Sequence, residues 1–348
     1  LDKDTALNVL KKVIDPELGD NIVNLNMVRN LVIDGGKIEL DFYLTTPACP
    51  LRNQMKEEIM GALKEAGTDD VTVNFKSEII SHKRDGKPDF ISREAFEGIK
   101  NIVPVYSTKG GVGKSTVAAN IAVALAKEGA RVALLDLDIY GPSIPRMFGI
   151  SGKPDVFGNK VVPIHKHGVS VMSLGFLLEE DKPLIWRGPL ANSAIKQLFE
   201  DILWEEIDYM IVDMPPGTGD IQITFAQEVP VSGAIYVTTP QRLSVDDTVK
   251  GINMFGKMGV CSLGVVSNMS RVVCPHCGKT SALYSRNAMD EMISKLGLRY
   301  LGDIPFDVKI AESGDSGTPA VIEFPESEFA EAFMNIARES ASAVSMLK

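Results

Sequence analysis

The sequence is short of cysteine, histidine and basic charge. Its 348 residues hold 4 cysteines and 4 histidines, and 36 Lys and Arg stand against 46 Asp and Glu, a formal net charge of −10. Cys49, Cys261, Cys274 and Cys277 are too few and too unevenly spaced to staple a disulfide scaffold. The acidic balance argues against a general nucleic-acid binder, because neutralising phosphates takes clustered Lys and Arg. No apolar run reaches the roughly 20 residues a membrane span needs, and no leader of basic then apolar residues opens the chain. A cytoplasmic protein without membrane contact is the expectation. The sequence opens on Leu1 rather than Met, which leaves room for residues ahead of it. Internal repeats and low-complexity tracts are also lacking.

What is present is an ordinary globular composition, 45% hydrophobic and 24% charged, in a chain long enough for two domains. Residues 1–80 read as a small α+β domain. Leu7, Leu10, Val13 and Ile14 have helical spacing ended by Asp15-Pro16. Two strand-like runs, 28–33 and 37–44, flank the turn signal Asp34-Gly35-Gly36. An amphipathic helix over 51–66 is closed by Gly67, and 71–75 alternates as a last strand. Residues 81–100 read as a linker, polar over Ser81 to Asp89. From 101 to 348 the pattern becomes strand, loop and helix in repetition. The short apolar runs 102–106, 131–135, 209–212, 234–237 and 264–266 fit strands buried on both faces. The fold class is therefore α/β: a three-layer domain with a mostly parallel sheet, preceded by the small α+β domain.

The strongest motif follows the first of these strands: Lys109-Gly110-Gly111-Val112-Gly113-Lys114-Ser115-Thr116. Glycines let successive backbone N–H groups turn into one concavity, and the helix beyond adds its positive dipole end. Lys114 can reach the β- and γ-phosphates of ATP, Ser115 can ligate Mg²⁺, and Thr116 offers a further phosphate hydrogen bond. A chance Gly-rich turn would not also carry Lys-Ser between a strand and a helix.

Thr108 replaces the first glycine of the general phosphate-loop motif, and Lys109 adds a second lysine. In this the sequence resembles the deviant-Walker family of dimeric ATPases, which includes the ParA and MinD partition ATPases, the nitrogenase iron protein, tail-anchored-protein targeting ATPases and Mrp/ApbC carriers. The resemblance implies that Lys109 reaches across a homodimer to the partner's nucleotide, as an arginine finger does. It implies that Asp138, in Asp136-Leu137-Asp138, positions or activates the attacking water, with Asp136 directed to the Mg²⁺ shell or to structure. Asp213, in Asp213-Met214-Pro215-Pro216-Gly217, corresponds to the Walker-B acid, and the glycine-rich turn after it to a switch that senses the γ-phosphate. Asp220 reads instead as a cap of the next helix. By the same resemblance Asn268 reads the purine edge and Pro305 flanks the adenine.

Cys274-Pro275-His276-Cys277 lies in the loop just past Asn268. Two thiolates at this spacing supply half of the four ligands that tetrahedral Zn²⁺ or a four-iron cluster takes, and twofold pairing of the chain would complete the set. His276 reads as a loop residue and Cys261 as a buried strand cysteine; Cys49 is open between a packed residue and an accessory thiol site. Residues 101–330 resemble the Mrp/ApbC branch, which assembles and delivers iron–sulfur clusters. They carry its strings Asp138-Ile139-Tyr140-Gly141-Pro142-Ser143, Trp186-Arg187-Gly188-Pro189 and Cys274-Pro275-His276-Cys277-Gly278. Residues 15–52, with Asp15-Pro16-Glu17-Leu18 and Thr45-Thr46-Pro47-Ala48-Cys49-Pro50, resemble the small domain found ahead of that ATPase and alone among iron–sulfur assembly factors. The resemblance implies an ATP-hydrolysing carrier of a labile [4Fe-4S] cluster, with apo iron–sulfur proteins and assembly factors as partners.

Two other readings stay open. A spatial-organising ATPase like ParA or MinD would use DNA or a membrane, but the C-terminal segment 326–348 sets Phe329, Phe333 and Ile336 among acids and reads as a core-packing helix. A targeting ATPase with zinc at its dimer interface fits the cysteine pair, and four thiolates suit either metal.

Overall fold

The computed structural model describes every residue except 1, 35, 69, 84–90, 139–140, 177–187, 274–276, 278 and 348, and gives the backbone alone for 188–191. Two compact units make up the chain, one of residues 1–80 with 341–348, the other of residues 81–340.

In the first unit, α1 (Lys3–Leu10) starts at Asp2, whose carboxylate accepts from the Thr5 N–H at 2.8 Å. The helix stops four residues short of the end its apolar spacing suggests. The Asp15 carboxylate accepts from the N–H groups of Glu17 and Leu18, which fixes a turn, and Ile14 makes a β-bridge to Asn21 instead. β1 (Val28–Asp34) and β2 (Lys37–Leu44) form the expected antiparallel hairpin, whose Gly35 lies outside the described residues. Helix α2 (Arg52–Glu65) buries Met55, Ile59 and Leu63 along one stripe, and its length returns β3 (Val71–Ser77) parallel to β2. Leu10, Ile22, Ile38, Leu40 and Phe42 complete this core.

The second unit runs β4 (Ile99–Tyr106), α3 (Lys114–Lys127), β5 (Val132–Asp136) and α4 (Ile144–Met147). Short strands β6 (Val156–Phe157), β7 (Lys160–Val161) and β8 (Ile164–Lys166) lead to β9 (Val169–Ser173), and then come α5 (Gly188–Glu200), β10 (Ile207–Asp213), α6 (Asp220–Glu228), β11 (Ala234–Thr238) and α7 (Arg242–Lys257). The chain continues through β12 (Ser262–Ser267), the hairpin β13 (Arg271–Val273) and β14 (Thr280–Ala282), α8 (Asn287–Leu296) and β15 (Tyr300–Asp303). It closes with α9 (Val308–Ser316), α10 (Ala320–Glu323) and α11 (Glu328–Ser345).

These strands build an eight-stranded sheet in the order β15-β12-β11-β4-β10-β5-β9-β8, parallel throughout except for β8 against β9. Its central strands are buried along their whole length, as their continuous apolar runs require. The edge strands β8 and β15, and β9 beside β8, escaped the sequence pattern, being short and broken by polar or glycine residues. Phe329, Phe333 and Ile336 of α11 are buried, in line with a core-packing helix. The stretch expected as linker is structured at its C-terminal end. Ile91, Phe96 and Ile99 enter the core, a 3-10 turn spans Arg93–Phe96, and Ile99 pairs with Ile207. Its apolar residues stand singly among charges, so no periodicity announced them. Residues 84–90 of that stretch lie outside the described residues.

Candidate nucleotide site and cysteine hairpin

Parallel strands place their C-terminal ends on one edge of a sheet, and that edge is where ligands bind. Here Asp213 pairs in register with Val105 on one side and Asp136 on the other, so the two carboxylates and the loop after β4 converge. The loop turns at Gly111 (φ 80°) and Gly113 (φ 83°), left-handed conformations that a side chain resists. At Gly113 there is no space either, since a Cβ would lie 2.2 Å from Asn268 Nδ2. Helix α3 begins directly at Lys114, aiming its first N–H groups into the loop.

Lys114 is 6% exposed and its Nζ pairs with Asp213 Oδ1, with Asp138 Oδ2 at 3.6 Å and Ser115 Oγ at 3.2 Å. The other oxygen of Asp213, Oδ2, is buried with no hydrogen-bond partner among the described residues. Such an atom is costly unless something cationic or a donor reaches it, so the donor set of Asp213 and Ser115 fits a divalent cation. Asp136 is fully buried and accepts from the Asp138 N–H (3.0 Å), the Ser173 hydroxyl (3.0 Å) and the Ile144 N–H (3.3 Å). It thus anchors the segment leading into α4. Burial, then the nearby Asp213 charge, push its carboxyl well above the usual range. Asp220 sits in the first turn of α6, where its charge suits the helix dipole, while Gly219 holds the cap position.

A cleft of about 480 Å³ opens over the loop, lined by Lys109, Lys114, Ser115, Thr116 and Asp138 on the expected side. Its far wall comes from Arg146 and Met147 of α4 and from Ile310, Ala311, Gly314 and Asp315 of α9. Sequence reading missed this wall; the spacing 310, 311, 314, 315 marks one helical face, the signal that could have found it. Lys109 Nζ lies 3.2 Å from Asp247 Oδ2 of α7. Thr108 packs at α7 as well, so closely that a Cβ on Gly251 would sit 2.7 Å from its methyl. The Tyr106 hydroxyl donates to the Gly217 carbonyl at 2.6 Å, tying the strand before the loop to the turn after Asp213.

Asn268 and Pro305 do not line the cleft. Asn268 is buried beneath it, where Nδ2 donates to the Val112 carbonyl at 2.8 Å, and Pro305 is buried just past β15. Three residues beyond Asn268 begins the β13–β14 hairpin, and Cys277 is exposed in its connecting loop. Cys274 and His276 lie outside the described residues, as do Ile139-Tyr140 and Trp186-Arg187. Cys261 is exposed, not buried as expected, because β12 starts only at Ser262. Cys49 is half-buried, and burial pushes its thiol up to about 11, so it stays protonated at neutral pH.

A strand, a glycine-rich loop with a buried lysine, a helix and a facing carboxylate on a parallel sheet define a P-loop ATPase. Residues 98–341 match the family described as NUBPL iron-transfer P-loop NTPase, and residues 3–75 that described as iron–sulfur cluster assembly protein. The chain belongs to the NUBPL iron-transfer P-loop NTPase family. It is 44% identical over 353 residues to an iron–sulfur cluster carrier protein of Synechocystis, covering 99% of each chain. Among solved structures it resembles a nucleotide-binding protein of Archaeoglobus fulgidus in complex with ADP (36% identity, TM-score 0.61, 69% of this chain and 95% of that one). It also resembles the cell division ATPase MinD of Pyrococcus furiosus (26% identity, TM-score 0.52, 69% of this chain and 97% of that one).

Proposed function

We propose that the protein is a cytoplasmic, ATP-hydrolysing carrier that holds a [4Fe-4S] cluster between the subunits of a homodimer and delivers it to apo-proteins. The observation that carries this reading is the exposed Cys277, on a hairpin that continues directly from the strand end beneath the phosphate loop. Cys274 and Cys277 of each subunit give the four thiolates a four-iron cluster takes. A site shared between subunits and open to solvent suits a cargo that must leave, and the small domain of residues 1–80 would serve acceptors or assembly factors.

In the ATPase cycle, the backbone of Gly110, Gly111, Val112 and Gly113 cradles the phosphates, helped by Thr116. Lys114 gives up Asp213 for the β- and γ-oxygens. Ser115 directly and Asp213 through water would hold Mg²⁺, which supplies positive charge beside those oxygens. Asp138, on the cleft wall, orients the attacking water and accepts its proton. The partner's Lys109 places a cation on the transferring phosphoryl group. Asn268 and Pro305 receive the adenine, Asn268 by turning its amide away from Val112.

The test is anaerobic reconstitution with iron and sulfide, followed by mixing with an apo four-iron protein. Visible cluster absorption should develop and pass to the acceptor. Cys274→Ala and Cys277→Ala should abolish both while nucleotide still binds. Undiminished absorption in the variants would refute the assignment, and zinc in place of iron in anaerobically purified protein would favour a zinc-bridged dimer.

A further inference from the structure

Between Asn268 and the cysteine hairpin the chain has no slack. Met269 has φ 54°, uncommon for a residue with a side chain. Next to it, the Ser270 N–H donates to the Ile304 carbonyl at 3.1 Å and its hydroxyl to Asp303 Oδ2 at 2.9 Å. Arg271, the first residue of β13, is 26% exposed and pairs at once with Asp303 at the end of β15 and with Glu328 at the start of α11. The Phe306 N–H donates to the Arg271 carbonyl at 2.7 Å, and Val272 bridges to Phe306. Two residues past Phe306 begins α9, whose Ile310, Ala311, Gly314 and Asp315 wall the nucleotide cleft. The base of the hairpin is therefore bonded to the phosphate loop through Asn268 and to the far wall of the cleft through residues 303–308.

We infer that Arg271 is a positioning residue that transmits the occupancy of the nucleotide cleft to the cysteine hairpin. A nucleotide entering between the phosphate loop and α9 displaces one or both attachments. Because Arg271 joins the hairpin base to Asp303 and Glu328, the shift reaches Cys277 as a change of exposure rather than fading in the turn. Coupling of this kind needs an element with two discrete arrangements; the Asn268 amide, which holds the Val112 carbonyl here and would turn to a base in the proposed cycle, would supply it. The inference draws its purpose from the carrier reading, while its geometry is independent of any cluster.

The experiment uses the full-length, cluster-free protein. The alkylation rate of the peptide carrying Cys277 is followed by mass spectrometry with and without a non-hydrolysable ATP analogue, and analogue affinity is measured in parallel. In the wild type the analogue should change the rate about fivefold, the low end of ordinary coupling between sites. Arg271→Ala should erase that dependence with analogue affinity held within about twofold, and Arg271→Lys, which keeps the charge, should restore part of it. If Arg271→Ala loses analogue binding, Glu328→Gln removes one arm of the clamp and is judged by the same criterion. A full response in the alanine variant, or none in the wild type, would overturn the inference. Either result leaves cluster loading by Cys274 and Cys277 to stand or fall on its own test.

Discussion

Lys109 and Asp247 form an ion pair of 3.2 Å that folds the second lysine of the phosphate loop back onto helix α7 of its own chain. Both side chains are about one-third exposed (36% and 33%), so the pair is screened and exchangeable. Asp247→Asn should release Lys109. Steady-state ATPase assays over a range of protein concentrations should then reach half-maximal activity at lower concentration, with the melting temperature unchanged. Lys109→Ala should remove hydrolysis and leave nucleotide binding intact, as equilibrium binding of a fluorescent ATP analogue would show.

Among the described residues, Lys114 is the cation that pairs with the buried carboxylate of Asp213. Lys114→Ala should abolish hydrolysis. It should also destabilise the nucleotide-free protein by up to about 3–5 kcal/mol, the cost of leaving one member of a buried pair uncompensated. Denaturant unfolding checks the second effect, and an unchanged midpoint would contradict it.

Asp136 supplies a pH dependence whose sign is fixed by its environment. Burial first, and Asp213 second, raise its folded-state pKa above the unfolded value. The folded state then holds the proton more tightly, so this contribution favours folding at low pH and is lost as pH rises through the folded pKa. Thermal melts of the nucleotide-free protein should therefore fall between about pH 5 and pH 8, and Asp136→Asn should flatten that slope.

Gly113→Ala tests the loop itself. A methyl group there meets Asn268 Nδ2 at 2.2 Å and must adopt φ 83°. The variant should lose ATP-analogue binding at least tenfold, corresponding to about 1.4 kcal/mol, while the sheet beneath stays folded by circular dichroism.

How far the sequence spoke for itself differs from element to element. The phosphate loop, Asp136, Asp213 and the central strands were legible because each couples a residue type to a local pattern: glycines before Lys-Ser, or an aspartate ending an apolar run. The wall of Arg146, Met147 and α9 was not, because it is assembled by a four-residue helix and a helix some 165 residues later, with no shared motif. Asn268 was read for what it would do with a base, yet its amide holds the Val112 carbonyl. The start of β12 at Ser262 leaves Cys261 exposed, and tertiary packing decided the C-terminal end of the expected linker, where single apolar residues carry no period.

Native mass spectrometry of the protein reconstituted under anaerobic conditions tests the carrier reading most directly. The account predicts a species of two chains plus one four-iron, four-sulfide cluster, which Cys277→Ala reduces to cluster-free protein. A single chain that retains its full iron, or a Cys277→Ala dimer still carrying the cluster, would contradict it.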